Sequence, residues 1–218
     1  TKDIIIVNKP AGQLSQGAKG FDLDLVSEVM TYNASQGKPA YAAIINRLDR
    51  PVSGLVLIAK NKSAAAKYST LMQKEGGFNK QYEALICGKL SESKGTFVDY
   101  LKKDGRTNTS AIVPADAAAN DKEAKLSKLE YEVISYDEVK DITHVRIHLI
   151  TGRHHQIRVQ FASRRHPLVG DYKYATAYCG MDNAVKAVAL KRNQIALCAV
   201  SLTIENETFR VTPEFSIG

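Results

Sequence analysis

Tryptophan is absent from these 218 residues, cysteine occurs only three times and proline six. Cys87, Cys179 and Cys198 are an odd number with no C-x-x-C pair among them, which argues against a disulfide framework or a zinc knuckle and suits a reducing cytosol. No apolar run approaches the length of a membrane-crossing helix, and the first residues lack the basic-then-apolar order of a signal peptide. The expected setting is therefore cytoplasmic, with no membrane partner. The five histidines show no H-E-x-x-H or comparable spacing, and neighbours such as His154 and His155 would point about 100° apart on a helix, so no metal is expected. Internal repeats and long low-complexity linkers are missing too. The chain is expected to form a single domain over residues 1–218, or two closely packed halves.

What is present is a basic, core-forming composition. Lysine and arginine number 30 against 23 acidic residues, a net charge of +7 and a pI near 9.2. Such an excess favours a polyanion such as RNA, because phosphate neutralisation releases counterions, although charge alone fits a merely basic protein equally well. Hydrophobic residues make up 44% of the chain, enough to fill a core.

Periodicity predicts an α+β fold: a mixed, mostly antiparallel sheet with flanking helices. Strands are expected at residues 4–7, 81–87, 96–101, 107–113, 126–135 and 144–150, with a closing hairpin over 195–204 and 207–211. Helices are expected over 22–30, with Leu23, Val26 and Met30 on one face, over 62–73, and over 154–164. Pro114 to Lys122, rich in Ala, Asp and Asn, reads as a mobile connection.

The most informative segment is Asn46 to Gly54, N-R-L-D-R-P-V-S-G. Apolar residues 42–45 lead in and residues 55–59 lead out, so the polar stretch is a loop clamped between core segments. Pro51 fixes its own φ and biases Arg50 toward extended backbone, while Gly54 permits a sharp turn or close approach. Asp49 is thereby presented rather than free to wander. Taken alone, the tetrapeptide reads as a surface turn in which Asp49 pairs with Arg47 or Arg50.

Further blocks change that weighting. Val7-Asn8-Lys9-Pro10-Ala11-Gly12, Lys80-Gln81-Tyr82-Glu83-Ala84, Ile150-Thr151-Gly152-Arg153-His154-His155-Gln156-Ile157-Arg158 and His166-Pro167-Leu168-Val169-Gly170-Asp171 accompany the Asp49 loop. In this order, across nearly the whole chain, they resemble the RluA-type pseudouridine synthases. The resemblance implies a mixed sheet cut by a catalytic cleft, and an isomerase that converts particular uridines of ribosomal or transfer RNA to pseudouridine. It implies no cofactor, since the reaction neither changes redox state nor takes a group from outside.

Site residues follow from the same resemblance. Asp49 is the expected nucleophile, Arg158 the guanidinium that keeps it ionised, and Tyr82 the ring beneath the displaced base. Arg47 is expected to fill the gap left by the flipped base; Lys9, Lys80, Arg153, His155 and Gln156 are expected to contact RNA. Arg164-Arg165-His166 is a further basic cluster, and Asp171 is expected to be structural. Four positions depart from the family pattern: Asn46 and Cys198 stand where histidine is usual, Val52 and His154 where threonine is. A monomer is expected, with no additional RNA-binding module ahead of Ile4. The competing readings are a catalytically silent RNA-binding or ribosome-assembly protein, and a phosphodiesterase or glycosidase using Asp49 with a second acid, for which Asp171 is the nearest candidate.

Overall fold

The computed structural model of the protein describes residues 1–17, 24–74, 76–179, 190 and 194–217. These divide into two compact units: the described residues of Thr1–Lys80, Lys191–Gln194 and Cys198–Pro213, and those of Gln81–Leu190, Ile195–Leu197 and Glu214–Gly218.

The first unit is built around β3 (Ser53–Ala59), whose seven residues are all buried. Leu55-Val56-Leu57-Ile58-Ala59 has no polar face because both faces are covered, as a continuous apolar run demands. Along one edge β1 (Ile4–Lys9) pairs antiparallel, from Ile4 opposite Ala59 to Lys9 opposite Gly54. The other edge is shared: β2 (Ala43–Ile44) pairs antiparallel at one end, and β9 (Leu197–Ile204) pairs parallel at the other, Gly54 opposite Ala199. β10 (Glu207–Arg210) completes a hairpin with β9. α2 (Lys62–Gln73) begins where the Asn61 side chain accepts from Ala64 N at 2.8 Å, and it drops Ala64 and Tyr68 onto a core with Ile4, Leu55, Leu57 and Leu202.

α1 (Leu25–Ser35) starts later than the apolar spacing suggests. Asp24 caps it by accepting from Ser27 N, and the buried face is Leu25, Val29 and Asn33 rather than one through Val26 and Met30, which is exposed. The predicted start at Asp22 and Leu23 lies outside the described residues.

The second unit is an antiparallel sheet in the order β4 (Phe78–Cys87), β8 (Ile142–Leu149), β7 (Lys125–Asp137), β5 (Lys94–Asp104) and β6 (Thr109–Val113); β4 enters it from the first unit. A bulge at 133–135 shifts the β7–β8 register by one residue. Phe97, Tyr131 and Phe161 interlock at ring separations of 4.9 to 5.9 Å. The strands predicted at 96–101 and 126–135 extend further at both ends.

Two expectations here are corrected. Residues 114–122 are not a bare connection: α3 (Ala115–Ala118) forms within them, Ala118 is buried, and Asp121 accepts from Lys102 at 2.8 Å. The helix predicted from His154 is α4 (Gln156–Ala162), two residues later, because His155 takes left-handed backbone (φ 53°) that an α-helix cannot contain. α5 (Tyr172–Cys179) follows. No helix among the described residues is long and apolar enough to cross a membrane.

Candidate active site

In the first unit the Asp49 turn is pinned from several directions. Asn46 is buried and spans β3: its amide donates to Leu55 O (3.1 Å) while its carbonyl accepts from Leu57 N (2.7 Å), a side chain standing in for a strand neighbour. The Ser15 hydroxyl donates to Leu48 O (2.6 Å) and accepts from Leu48 N (3.2 Å), fixing the residue before Asp49. Val52 N donates back to Asp49 O at 3.0 Å and closes the turn. Gly12 N donates to Arg50 O (2.7 Å), and Arg50 Nε returns the bond to Gly12 O (2.9 Å). Gly54 follows with φ +117°, and a Cβ there would lie 2.5 Å from Ala199 backbone atoms, so the close approach to β9 requires glycine.

Lys9 sits under this turn. It is completely buried, and its ammonium donates to Pro10 O (3.0 Å), Gln13 O (2.9 Å) and Arg50 O (3.4 Å). Burial pushes its pKa down to about 8 against the opposing charge of Asp49. The expectation that Lys9 contacts RNA is therefore corrected: its three N–H groups serve the protein's own carbonyls, away from solvent. Arg47, two residues before Asp49, is exposed.

In the second unit Tyr82 is buried on β4 opposite Ile147 of β8. Lys80, two residues earlier on the strand, is half-buried, and desolvation lowers its pKa. Arg158 is 5% exposed on α4 and Asp171 1% exposed before α5. Arg158 Nε and Nη2 donate to the two Asp171 oxygens at 2.6 and 2.9 Å, a bidentate pair. The segment carrying Asp171 is tied to β4 by Cys87 N to Pro167 O and Val169 N to Leu85 O, both at 2.9 Å.

Gln156 is the second correction among the expected RNA contacts. Its carboxamide is buried and spent on the loop: the oxygen accepts from Thr151 Oγ1 (2.8 Å) and Arg153 N (3.0 Å), and the nitrogen donates to Lys128 O (3.1 Å) and Gln160 Oε1 (3.0 Å). Arg153 is exposed, its Nε donating to Leu126 O. His155 is half-buried, stacked on His154 at 3.8 Å, with Nδ1 2.7 Å from the Tyr174 hydroxyl.

Tyr174 was not singled out by its sequence. Its ring lies 5.1 Å from Arg158 Cζ, and its hydroxyl also accepts from Ser110 N at 2.9 Å. Ser15 escaped notice likewise, since a serine three residues beyond the Val7–Gly12 block carries no signal of its own; the Y-K-Y spacing after Asp171 was the available hint for Tyr174. Among the described residues no three of His, Cys, Asp and Glu converge as a metal site.

Comparison with known proteins now bears on these two sets of residues. The chain matches the family model for RNA pseudouridylate synthase over residues 3–163. Ribosomal large subunit pseudouridine synthase D of Buchnera aphidicola is 33% identical over 174 residues, covering 79% of this chain and 52% of that protein. Its namesake from Vibrio cholerae is 29% identical over 212 residues, 94% of this chain and 61% of that protein. Ribosomal large subunit pseudouridine synthase C of Rickettsia bellii is 33% identical over 172 residues, 79% and 54%. The chain spans about half the length of the curated relatives it matches. Among solved structures, Human RNA Pseudouridylate Synthase Domain Containing 1 aligns with a TM-score of 0.73 at 24% identity, over 98% of this chain and 81% of that one. Domain Containing 4 gives 0.73 at 19%, over 98% and 86%. At such identities these two speak for the fold alone. Matched by the family model over most of its length, with its motifs in RluA-type order, the chain belongs to the RNA pseudouridylate synthase family.

Proposed function

We propose that the chain is the catalytic part of an RNA pseudouridine synthase that isomerises particular uridines, with ribosomal RNA as the first substrate class and transfer RNA as the second. The observation that carries the reading is the Asp49 turn: a carboxylate on backbone held by Asn46, Ser15 and Gly12, inside the segment matched to the family. The names of the curated relatives, which modify the large ribosomal subunit, support the choice of ribosomal RNA.

The chemistry assigns a task to each residue. The bond from C1′ to N1 must break, the uracil must turn, and a bond from C1′ to C5 must form; the C5 hydrogen then leaves to solvent and N1 regains a proton. Asp49 is the nucleophile in this scheme, and a fixed backbone keeps it at attack distance without an ordering cost at each turnover. Tyr82 is the ring and hydroxyl that meet the base, and Arg158 the guanidinium that offsets negative charge. Unstacking a uridine costs a few kcal/mol, and Arg47, exposed on Asp49's own turn, is assigned the space the uridine vacates. Arg153, Lys80 and His155 are assigned to the RNA strand. No cofactor enters, because every atom of the product comes from the substrate or water.

The test is release of tritium from C5-labelled uridine in ribosomal and transfer RNA. Wild type should release label, and Asp49→Asn should abolish release while salt-dependent RNA binding stays within about threefold, since Asn keeps the side-chain volume. A wild type that binds RNA yet releases nothing from any cellular RNA would make the chain a binding protein on a synthase scaffold.

A further inference from the structure

Gln160 is a fully buried polar side chain that the chemistry above leaves without a task. We infer that Asp99 and Gln160 are positioning residues for the Arg153 segment, acting through Gln156: a one-way row of side-chain hydrogen bonds holds the backbone that carries Arg153 to the RNA strand. The RNA contact in this statement rests on the function proposed above; the row of bonds, which lies wholly within the second unit, does not.

The row begins on β5 and ends at the loop before α4. Arg164 donates to both Asp99 oxygens, at 3.0 and 3.1 Å, and Gln160 Nε2 donates to Asp99 Oδ2 at 2.7 Å. Gln160 Oε1 accepts from Gln156 Nε2 (3.0 Å), one turn earlier on the helix, and Gln156 Oε1 accepts from Thr151 Oγ1 (2.8 Å) and Arg153 N (3.0 Å). Both ends have a fixed polarity. A carboxylate paired with a guanidinium offers only acceptors and a backbone N–H only a donor, so neither carboxamide between them can turn over without setting oxygen against oxygen and N–H against N–H.

Arg153 is held by Gln156 twice: its N–H by the side chain, and its carbonyl by Gln156 N at 3.2 Å. Thr151 is tied to Lys128 of β7 by Thr151 N to Lys128 O (3.1 Å) and Lys128 N to Thr151 Oγ1 (2.8 Å), and Gln156 Nε2 adds a bond to the same Lys128 O. The chain then enters α4 through His155 at φ 53°, a conformation that residues other than glycine keep only where their surroundings impose it. Arg153 itself is exposed, so the row fixes the base of a side chain whose far end faces solvent. A fixed base lowers the ordering cost of meeting a phosphate, and the effect belongs in affinity rather than in the chemical step.

Two measurements decide it. The first needs neither RNA nor turnover: by NMR hydrogen exchange, the Arg153 amide should exchange about 10-fold faster in Gln160→Leu than in wild type, while ladder amides such as Ala84 and Val145 keep their rates. An Arg153 amide with wild-type exchange overturns the inference, as does an equal quickening of all three, the mark of general loosening. The second reverses the row. Gln156→Glu keeps an oxygen for Arg153 N but has no N–H for Gln160, whose carboxamide can answer only by turning over and setting its oxygen against Asp99; Asp99→Asn supplies an N–H at that point. Asp99 and Gln156 each bond to Gln160 and not to each other, so without the row their effects should add. Gln156→Glu should weaken RNA binding about 10-fold and Asp99→Asn by less than about threefold, and the double variant should bind at least about threefold more tightly than their sum predicts. Tritium release should show the same pattern in KM with kcat within about twofold. Additive effects overturn the inference. A wild type that binds no RNA overturns the proposed function, and the exchange result still judges the row. Should Gln160→Leu fail to fold, the second measurement decides; should Gln156→Glu fail as well, regained folding in the double variant sustains the row and its absence refutes it.

Discussion

Asp171 and Arg158 illustrate how much rests on single side chains. Both are buried, and the two bonds of 2.6 and 2.9 Å answer the desolvation of each charge. Asp171→Ala would leave a buried guanidinium without its bidentate partner, a loss on the order of 3–5 kcal/mol, which urea denaturation would read directly. Asp171→Asn, which keeps an acceptor and the shape, should lose less; a midpoint for Asp171→Ala within about 0.5 kcal/mol of wild type would show that the pair contributes little. The pair also marks the limit of what the residues reveal on their own. That Asp171 is structural could be anticipated from V-G-D, yet its partner could not, because twelve intervening positions fold back to bring Asp171 against α4. Lys9 and Gln156 were misjudged for a common reason. A lysine and a glutamine look solvent-directed in a sequence, and only the count of their satisfied hydrogens shows them turned inward.

At the scale of elements, local signals told the truth where a cap or a turn residue was decisive. α2 begins and ends where its alanine-rich run and Asn61 indicate. Asn61→Ala should destabilise the first unit by about 1–2 kcal/mol in chemical denaturation, since the side chain caps Ala64 N and also donates to Asp3 Oδ1 at 2.9 Å; Asn61→Asp, which retains the cap, should recover about half. Boundaries slipped where backbone conformation is not written in residue type. Nothing about His155 announces a φ of 53°, so α4 was begun two residues early. On α1 the error was one of phase: capping at Asp24 turned the apolar face away from Met30. In the second unit antiparallel pairing was readable for the consecutive partners β5 with β6 and β7 with β8, but not for β4 with β8 or β5 with β7. The parallel contact of β3 with β9 joins positions well over a hundred residues apart, and no periodicity encodes it.

For the molecule as a whole, the class was legible before the arrangement: alternating short strands with few helices lead to α+β, and the structure has that composition. The proposed catalytic residues were singled out only through a resemblance of ordered blocks, because Asp49 alone is indistinguishable from a surface turn. Net charge belongs at this scale too. With an excess of seven positive charges, the logarithm of the affinity for RNA should fall linearly as log salt rises, and Arg47→Ala should reduce the magnitude of that slope by about one in filter-binding or fluorescence titrations. A slope untouched by the substitution would remove Arg47 from the RNA-facing surface. One element is packed differently from the rest. All seven residues of α4 are buried, Arg158 among them, so it has no outward-facing polar stripe. Each position here is held by packing or by a bond, so a single substitution that changes volume or polarity in α4 should cost more than the same change on an exposed helix face.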